Sequence, residues 1–286
     1  MSHSFDGAGA VAPEALTVPL LELHWAAQFL ASAGQTFAEP AGDDSHRAMT
    51  WDSELRAFVG AAFSGTYPFR LALRVEDLAL LLIDRTGEAL GTLLLPDKTR
   101  DEVDEWLSLG MAMYMGGAPP VIERPEYDLP AHPVQERGRF SHVSDEHLQA
   151  LASMYGGAAE VLEDFVRGRS DASPIRCWPH HFDIATLVTV ESGPDAESAT
   201  TVGLGLAPSG AGYREWYWYV TPWPYPADSA LPPLTAGGVW HTEGWTGAVL
   251  TASEVVALAP SEQTAAVQAF LGAAFSSAVE ALRASS

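Results

Sequence analysis

SPIRCWPHHFDIATLVTV, Ser173 to Val190, is the stretch on which the fold turns. Its second part, His181 to Val190, is rich in β-branched residues and alternates between two faces, the pattern of a half-buried strand. Further strand patterns follow at Thr200 to Leu206, Trp216 to Val220 and Val239 to Leu250. A last helix starts near Ser261 and sets Val267, Phe270, Leu271, Ala274, Phe275, Val279 and Leu282 on one side. Before the stretch, Ser144 caps a helix with Asp145 and Glu146 in its first turn and Leu148, Leu151, Tyr155, Leu162, Phe165 and Val166 on its buried face. Gly156 and Gly157 are expected to bend it.

The first half repeats that order. Leu20, Leu21, Trp25, Phe29, Leu30, Ala33 and Phe37 recur at three- and four-residue spacing, which predicts an amphipathic helix. Met49, Trp51, Leu55, Ala57 and Val59 predict a half-buried strand, and Phe69 to Val75, Leu78 to Ile83 and Leu90 to Leu95 predict an antiparallel meander turning at Thr86 and Gly87. Thr99 with Glu102 has the spacing of a capping box, with Val103, Trp106 and Leu107 behind it. Gly116 to Gly138 is interrupted by prolines throughout.

The expected fold is α+β: antiparallel sheets with covering helices, in two similar helix–strands–helix halves that form a pseudo-repeat. The expected layout is a flexible leader over residues 1–16, an N-terminal half over 17–116, a proline-rich linker over 117–140 and a C-terminal half over 141–286, sharing one core.

A net charge of -22, with fifteen lysines and arginines against thirty-seven acidic residues, argues against nucleic acid and anionic membrane as partners. The single cysteine, Cys177, forms no internal bridge, so the expected setting is the cytosol. The apolar run Val18 to Ala33 carries Glu22, His24 and Gln28, and is read as neither signal peptide nor membrane span.

On a strand from His181, the side chains of His181 and Asp183 share a face, as do those of His241, Glu243 and Trp245 on the later strand. Should the faces coincide, His181, Asp183 and His241 make the donor set of a non-haem iron or zinc site. Alternatively, His181, Asp183, His241 and Glu243 serve as metal-free acid/base groups, or they are structural. Six of the nine tryptophans fall between Trp178 and Trp245. Trp178, His180, Trp218, Trp223, Tyr225 and Trp245 are therefore the expected ligand-binding walls, Trp223 and Tyr225 on a proline-stiffened segment. Gly203 and Gly205 leave one strand face nearly bare, which implies a close neighbour. GLGLAPSG is not a dinucleotide fingerprint, and no G-x-S-x-G is present.

SPIRCWPHHFDIA, the Leu23 to Trp25 element and the aromatic-proline segment Tyr217 to Pro226 resemble an uncharacterised bacterial family, a domain of unknown function, over most of the chain. In that family small residues stand where this chain has His180 and His181, whereas Asp183 matches. The resemblance implies one cytosolic protein with two similar halves and carries no activity. The functional expectation is an enzyme acting on a small aromatic or cationic molecule, with a divalent metal as candidate cofactor. The alternative is a binding module without chemistry.

Overall fold

The computed structural model describes residues 9–65, 68–117, 121–194 and 198–285. The class is α+β, with two antiparallel sheets and five α-helices among the described residues. Contacts divide the chain into two compact units. An N-terminal unit comprises Ala15–Ala152 and Arg176–Phe182, and a C-terminal unit comprises Ser153–Ile175 and Asp183–Ser286 with residues 9–14. The proline-rich segment belongs to the N-terminal unit. Of the expected leader, residues 1–8 lie outside the described residues, whereas Pro13–Leu16 form a 3-10 turn in which Leu16 is fully buried.

In the N-terminal unit, α1 (Thr17–Phe37) packs on a five-stranded meander: β1 (Thr50–Asp52), β2 (Ala57–Phe63), β3 (Phe69–Arg74), β4 (Ala79–Asp84) and β5 (Ala89–Leu94). Leu80, Leu81, Leu82 and Ile83 of β4 are all buried, so this strand is covered on both faces; each contributes about 2 kcal/mol of apolar burial. The helix α2 (Arg100–Met115) starts at the expected capping box: Thr99 accepts from the Glu102 N–H, and the Glu102 carboxylate accepts from the Thr99 N–H at 2.9 Å.

Residues Met49 to Val59, expected as one strand, form a hairpin. The Asp52 carboxylate accepts from the N–H groups of Glu54 and Leu55 at 3.0 and 2.9 Å, and Arg56 takes φ of 48°. The side-chain alternation continues through a turn whose geometry Asp52 imposes.

Among the described residues the proline-rich segment pairs with no strand; isolated bridges join Phe140 to Pro96 and Arg139 to Thr99, and the segment is pinned to α1. Trp25 Nε1 donates to the Pro130 carbonyl at 2.9 Å, and Glu123 N–H donates to Thr36 Oγ1 at 2.9 Å. Ile122, Val134 and Phe140 are buried. The helix α3 (Asp145–Val166) runs unbroken through Gly156 and Gly157, and β6 (Arg176–Trp178) bridges Cys177 to Met49 in the N-terminal unit. Cys177 is buried and carries no disulfide.

The C-terminal unit contains β7 (Asp183–Glu191), β8 (Thr200–Ala207), β9 (Tyr217–Trp223), β10 (Val239–His241) and β11 (Gly247–Thr251), in spatial order β10-β11-β9-β8-β7. The short α4 (Ala252–Val256) leads into α5 (Pro260–Ser285), which packs on β8, β9 and β11. This order differs from the simple meander of the other unit, so the expected pseudo-repeat does not extend to topology. Among the described residues α5 is the one helix long and apolar enough to cross a bilayer. Its Val267, Phe270, Leu271, Ala274, Ala278 and Leu282 are buried, as in the covering helix of a sheet.

Register fixes the two faces of the C-terminal sheet. Ile184 pairs with Leu206, Leu206 with Trp218 and Trp218 with Leu250, and all four lie on the apolar face with Val202, Leu204 and Val220. The opposite face carries Ala185, Gly205, Tyr219 and Val249 in one row. Because successive side chains alternate, Asp183, Tyr217 and His241 share this second face.

Candidate functional site

The second face of the C-terminal sheet holds a row of rings that ends on a carboxylate. Trp245 lies 4.6 Å from His241, His241 5.6 Å from Tyr213, Tyr213 4.6 Å from Tyr217 and Tyr217 6.5 Å from Tyr219, centroid to centroid. Tyr219 then donates its hydroxyl to Asp183 Oδ2 at 2.5 Å, short for this type of bond and consistent with an ionised acceptor.

Two glycines make that row feasible. Asp183 is on β7 and Tyr219 on β9, so the phenol must reach across β8, whose residues between the two on this face are Gly205 and Ala207. A Cβ on Gly205 would stand 2.4 Å from the Ile184 carbonyl oxygen and 2.7 Å from Ala185 Cβ. The close neighbour implied by the bare strand face is therefore the backbone of β7 at Gly205. At the other end, a Cβ on Gly247 would lie 2.4 Å from the Trp245 ring, which rests over that position. Glycine at both sites exchanges strand stability for room.

His241 is anchored through both ring nitrogens. Nε2 lies 2.9 Å from the Glu243 carbonyl oxygen, which can only accept, so Nε2 carries the hydrogen. In the neutral ring Nδ1 then accepts from the Tyr213 hydroxyl at 3.3 Å. Burial, with the Asp183 charge and Tyr213 adding to it, pushes the Tyr217 hydroxyl up to about 12, so Tyr217 stays protonated across the physiological range.

Two expected strand faces are corrected. His180 and His181 lie in a turn, closed by the Phe182 N–H donating to the Trp178 carbonyl at 2.6 Å. Pro179 supplies no N–H, and Phe182 takes φ of 57°, so the strand begins only at Asp183. Val239 to Leu250 is likewise two strands joined by a loop, with Gly244 at φ of 84°. Glu243 and Trp245 sit in that loop, and it is the Glu243 backbone that meets His241.

The expected residues are thus distributed as follows. Asp183, His241, Glu243, Trp218, Trp223, Tyr225 and Trp245 belong to the C-terminal unit, whereas Trp178, His180 and His181 belong to the N-terminal unit. Asp183, His241 and Trp245 join the ring row, Glu243 is exposed, and Trp218 is fully buried on the apolar face with no wall to offer. Trp223 and Tyr225 are 46% and 47% exposed and meet edge to face at 5.3 Å. Among the described residues no group of three or more histidine, cysteine, aspartate or glutamate side chains stands where it could hold a metal ion.

The N-terminal unit has polar chemistry of its own. His24 donates through Nε2 to the Pro179 carbonyl at 2.9 Å and stacks on Phe182 at 5.2 Å and 6°, while His180 and His181 lie 4.3 Å apart. Burial, aided by the charges of neighbouring histidines, lowers His24 to about 4; burial and His181 lower His180 to about 4. Deeper in the unit, His132 Nδ1 accepts from the Val134 N–H at 3.1 Å, which leaves the hydrogen on Nε2, 3.2 Å from Glu22 Oε1. Glu22 Oε2 also accepts from the Ser141 N–H at 3.1 Å. Burial alone would raise the Glu22 carboxyl, but the bonds from His132 and Ser141 outweigh it and hold the carboxyl below its ordinary value.

The consecutive run Trp216 to Tyr219 puts large aromatics on both strand faces, but Tyr213, Tyr217 and Tyr219 are not among the expected site residues. The signal was the parity of EWYWYVTPW: one alternating set runs Trp216, Trp218, Val220, the other Tyr217, Tyr219, Thr221, and the set bearing hydroxyls lies on the face opposite Trp218, where Tyr217 is buried with Ala207 and Val249. No protein-family model, curated protein or solved structure matches the chain.

Proposed function

We propose that the chain binds a small organic cation, with the ring row of the C-terminal sheet as its site. The observation that carries this reading is the succession Trp245, His241, Tyr213, Tyr217, Tyr219, which ends on the buried Asp183 carboxylate. Ring faces attract an ammonium group through their quadrupole, and an ammonium within about 6 Å of a centroid is held by about 0.5–2 kcal/mol per contact. Asp183 supplies the countercharge, and a net charge of -22 raises the local concentration of any cation. A flat aromatic ligand would use the same rings, and a positive charge on it is what would engage Asp183. The setting we propose is the cytosol, from the single cysteine.

Binding without chemistry has more support than the enzymatic reading of His181, Asp183, His241 and Glu243. A general base needs a free nitrogen, and both nitrogens of His241 are engaged within its own unit. Glu243 contributes its carbonyl to that anchoring.

Calorimetric titration with tetramethylammonium and with benzylamine tests the proposal. Saturable binding that weakens about tenfold in Tyr213→Ala or Trp245→Ala, and is unchanged in Trp223→Ala, supports the site. Absence of saturable binding by either cation, or equal affinity in all three variants, removes it.

A further inference from the structure

The N-terminal unit has a cleft of about 270 Å³ lined by α1 and the proline-rich segment. That volume equals about nine water molecules at liquid density, room for a one- or two-ring organic molecule. We propose that this cleft binds a small planar aromatic carboxylate, with Arg100 as the group that takes the carboxylate.

The walls are apolar and fixed. Trp25 and Phe29, one turn apart on α1, face Pro125, Tyr127, Leu129 and Val134 of the proline-rich segment. The Trp25 indole N–H is committed to the Pro130 carbonyl, so the ring presents its apolar body with no unmet donor. Phe29 packs on Phe140 at 6.1 Å, and proline on the facing wall limits the freedom that binding must remove.

The charged groups are not equivalent. Arg124 is spent on an ion pair with Asp104. Arg100 also lines the cleft, is half-buried, and among the described residues makes no hydrogen bond or ion pair; Asp104 feels its charge at a distance. A half-buried guanidinium with its fork of donors unspent, beside two indole and phenyl walls, is complementary to a carboxylate carried on a flat ring. On α1, Gln28 Nε2 donates to the carbonyls of His24 and Pro179 and Ser32 Oγ donates to the Gln28 carbonyl; neither side chain is hydrogen-bonded to Arg100. Glu126 lies at the exposed rim and bars a second negative charge, which favours a monoanion over a dianion.

Calorimetric titration of the full chain with indole-3-acetate, with indole-3-acetamide as the uncharged control, tests this. The expected result is saturable one-site binding of the carboxylate, at least about tenfold weaker binding of the amide, and an affinity reduced about tenfold or more in Arg100→Gln. Because Arg100 holds nothing else in place, that variant should keep the native circular dichroism and thermal midpoint. Trp245→Ala should bind the carboxylate as the native protein does, which separates this site from the ring row. No binding at about 10 mM, equal affinity for the amide, or undiminished binding in Arg100→Gln would each overturn the assignment.

Discussion

His24 is a histidine that the fold keeps neutral. Burial between Pro179 and Phe182 lowers it to about 4, whereas an unfolded chain titrates it at about 6.5. The unfolded chain therefore takes up a proton that the folded protein refuses between those two values. Stability from this group is fully present above about 6.5 and is lost as the pH falls towards 4, by roughly 3 kcal/mol at the limit. The thermal midpoint should fall between pH 7 and pH 5, and His24→Gln should flatten that fall; an equal slope in the variant would show that other groups govern it. The Glu22 and His132 pair behaves differently. Its carboxylate is held ionised by two donors, so Glu22→Leu should cost about 3 kcal/mol by stranding the His132 and Ser141 donors, as measured by chemical unfolding.

At the scale of elements, glycine decides where strands approach. Gly205→Val would drive a side chain into the Ile184 carbonyl and under the Tyr219 phenol, and should cost about 2–4 kcal/mol in chemical unfolding while abolishing the Tyr219 to Asp183 bond. A neutral effect would mean that β7 and β8 separate more readily than their close contact implies. The helices and the meander were legible from periodicity because each follows from local spacing: α1, β3 to β5, the Thr99 box and α5 fall where the pattern puts them. Two of the misread strands show the limit. Met49 to Val59 and Val239 to Leu250 keep their alternation through a turn, and a period of two is blind to a reversal that an Asp52 side chain or a Gly244 backbone imposes.

For the whole molecule, charge is the dominant unbalanced term. With a net charge of -22, self-repulsion opposes the compact state, and added salt screens it. Raising NaCl from about 20 mM to about 300 mM should therefore raise the thermal midpoint by a few degrees. A fall would mean that specific ion pairs, such as Arg74 with Asp77, outweigh the general repulsion.

By itself, the sequence determined the class of fold, the core faces of the helices, the acidic field and the residue types carried by the C-terminal strands, because these depend on residue type and on neighbours three, four or two places away. Only the tertiary structure decided which groups meet. That Tyr219 reaches Asp183 across Gly205, that Trp218 turns inward, and that Arg100 and Trp25 line one cleft all depend on strand register and on how a proline-rich segment lies against a helix. Such contacts join residues far apart in the chain, and no local period records them.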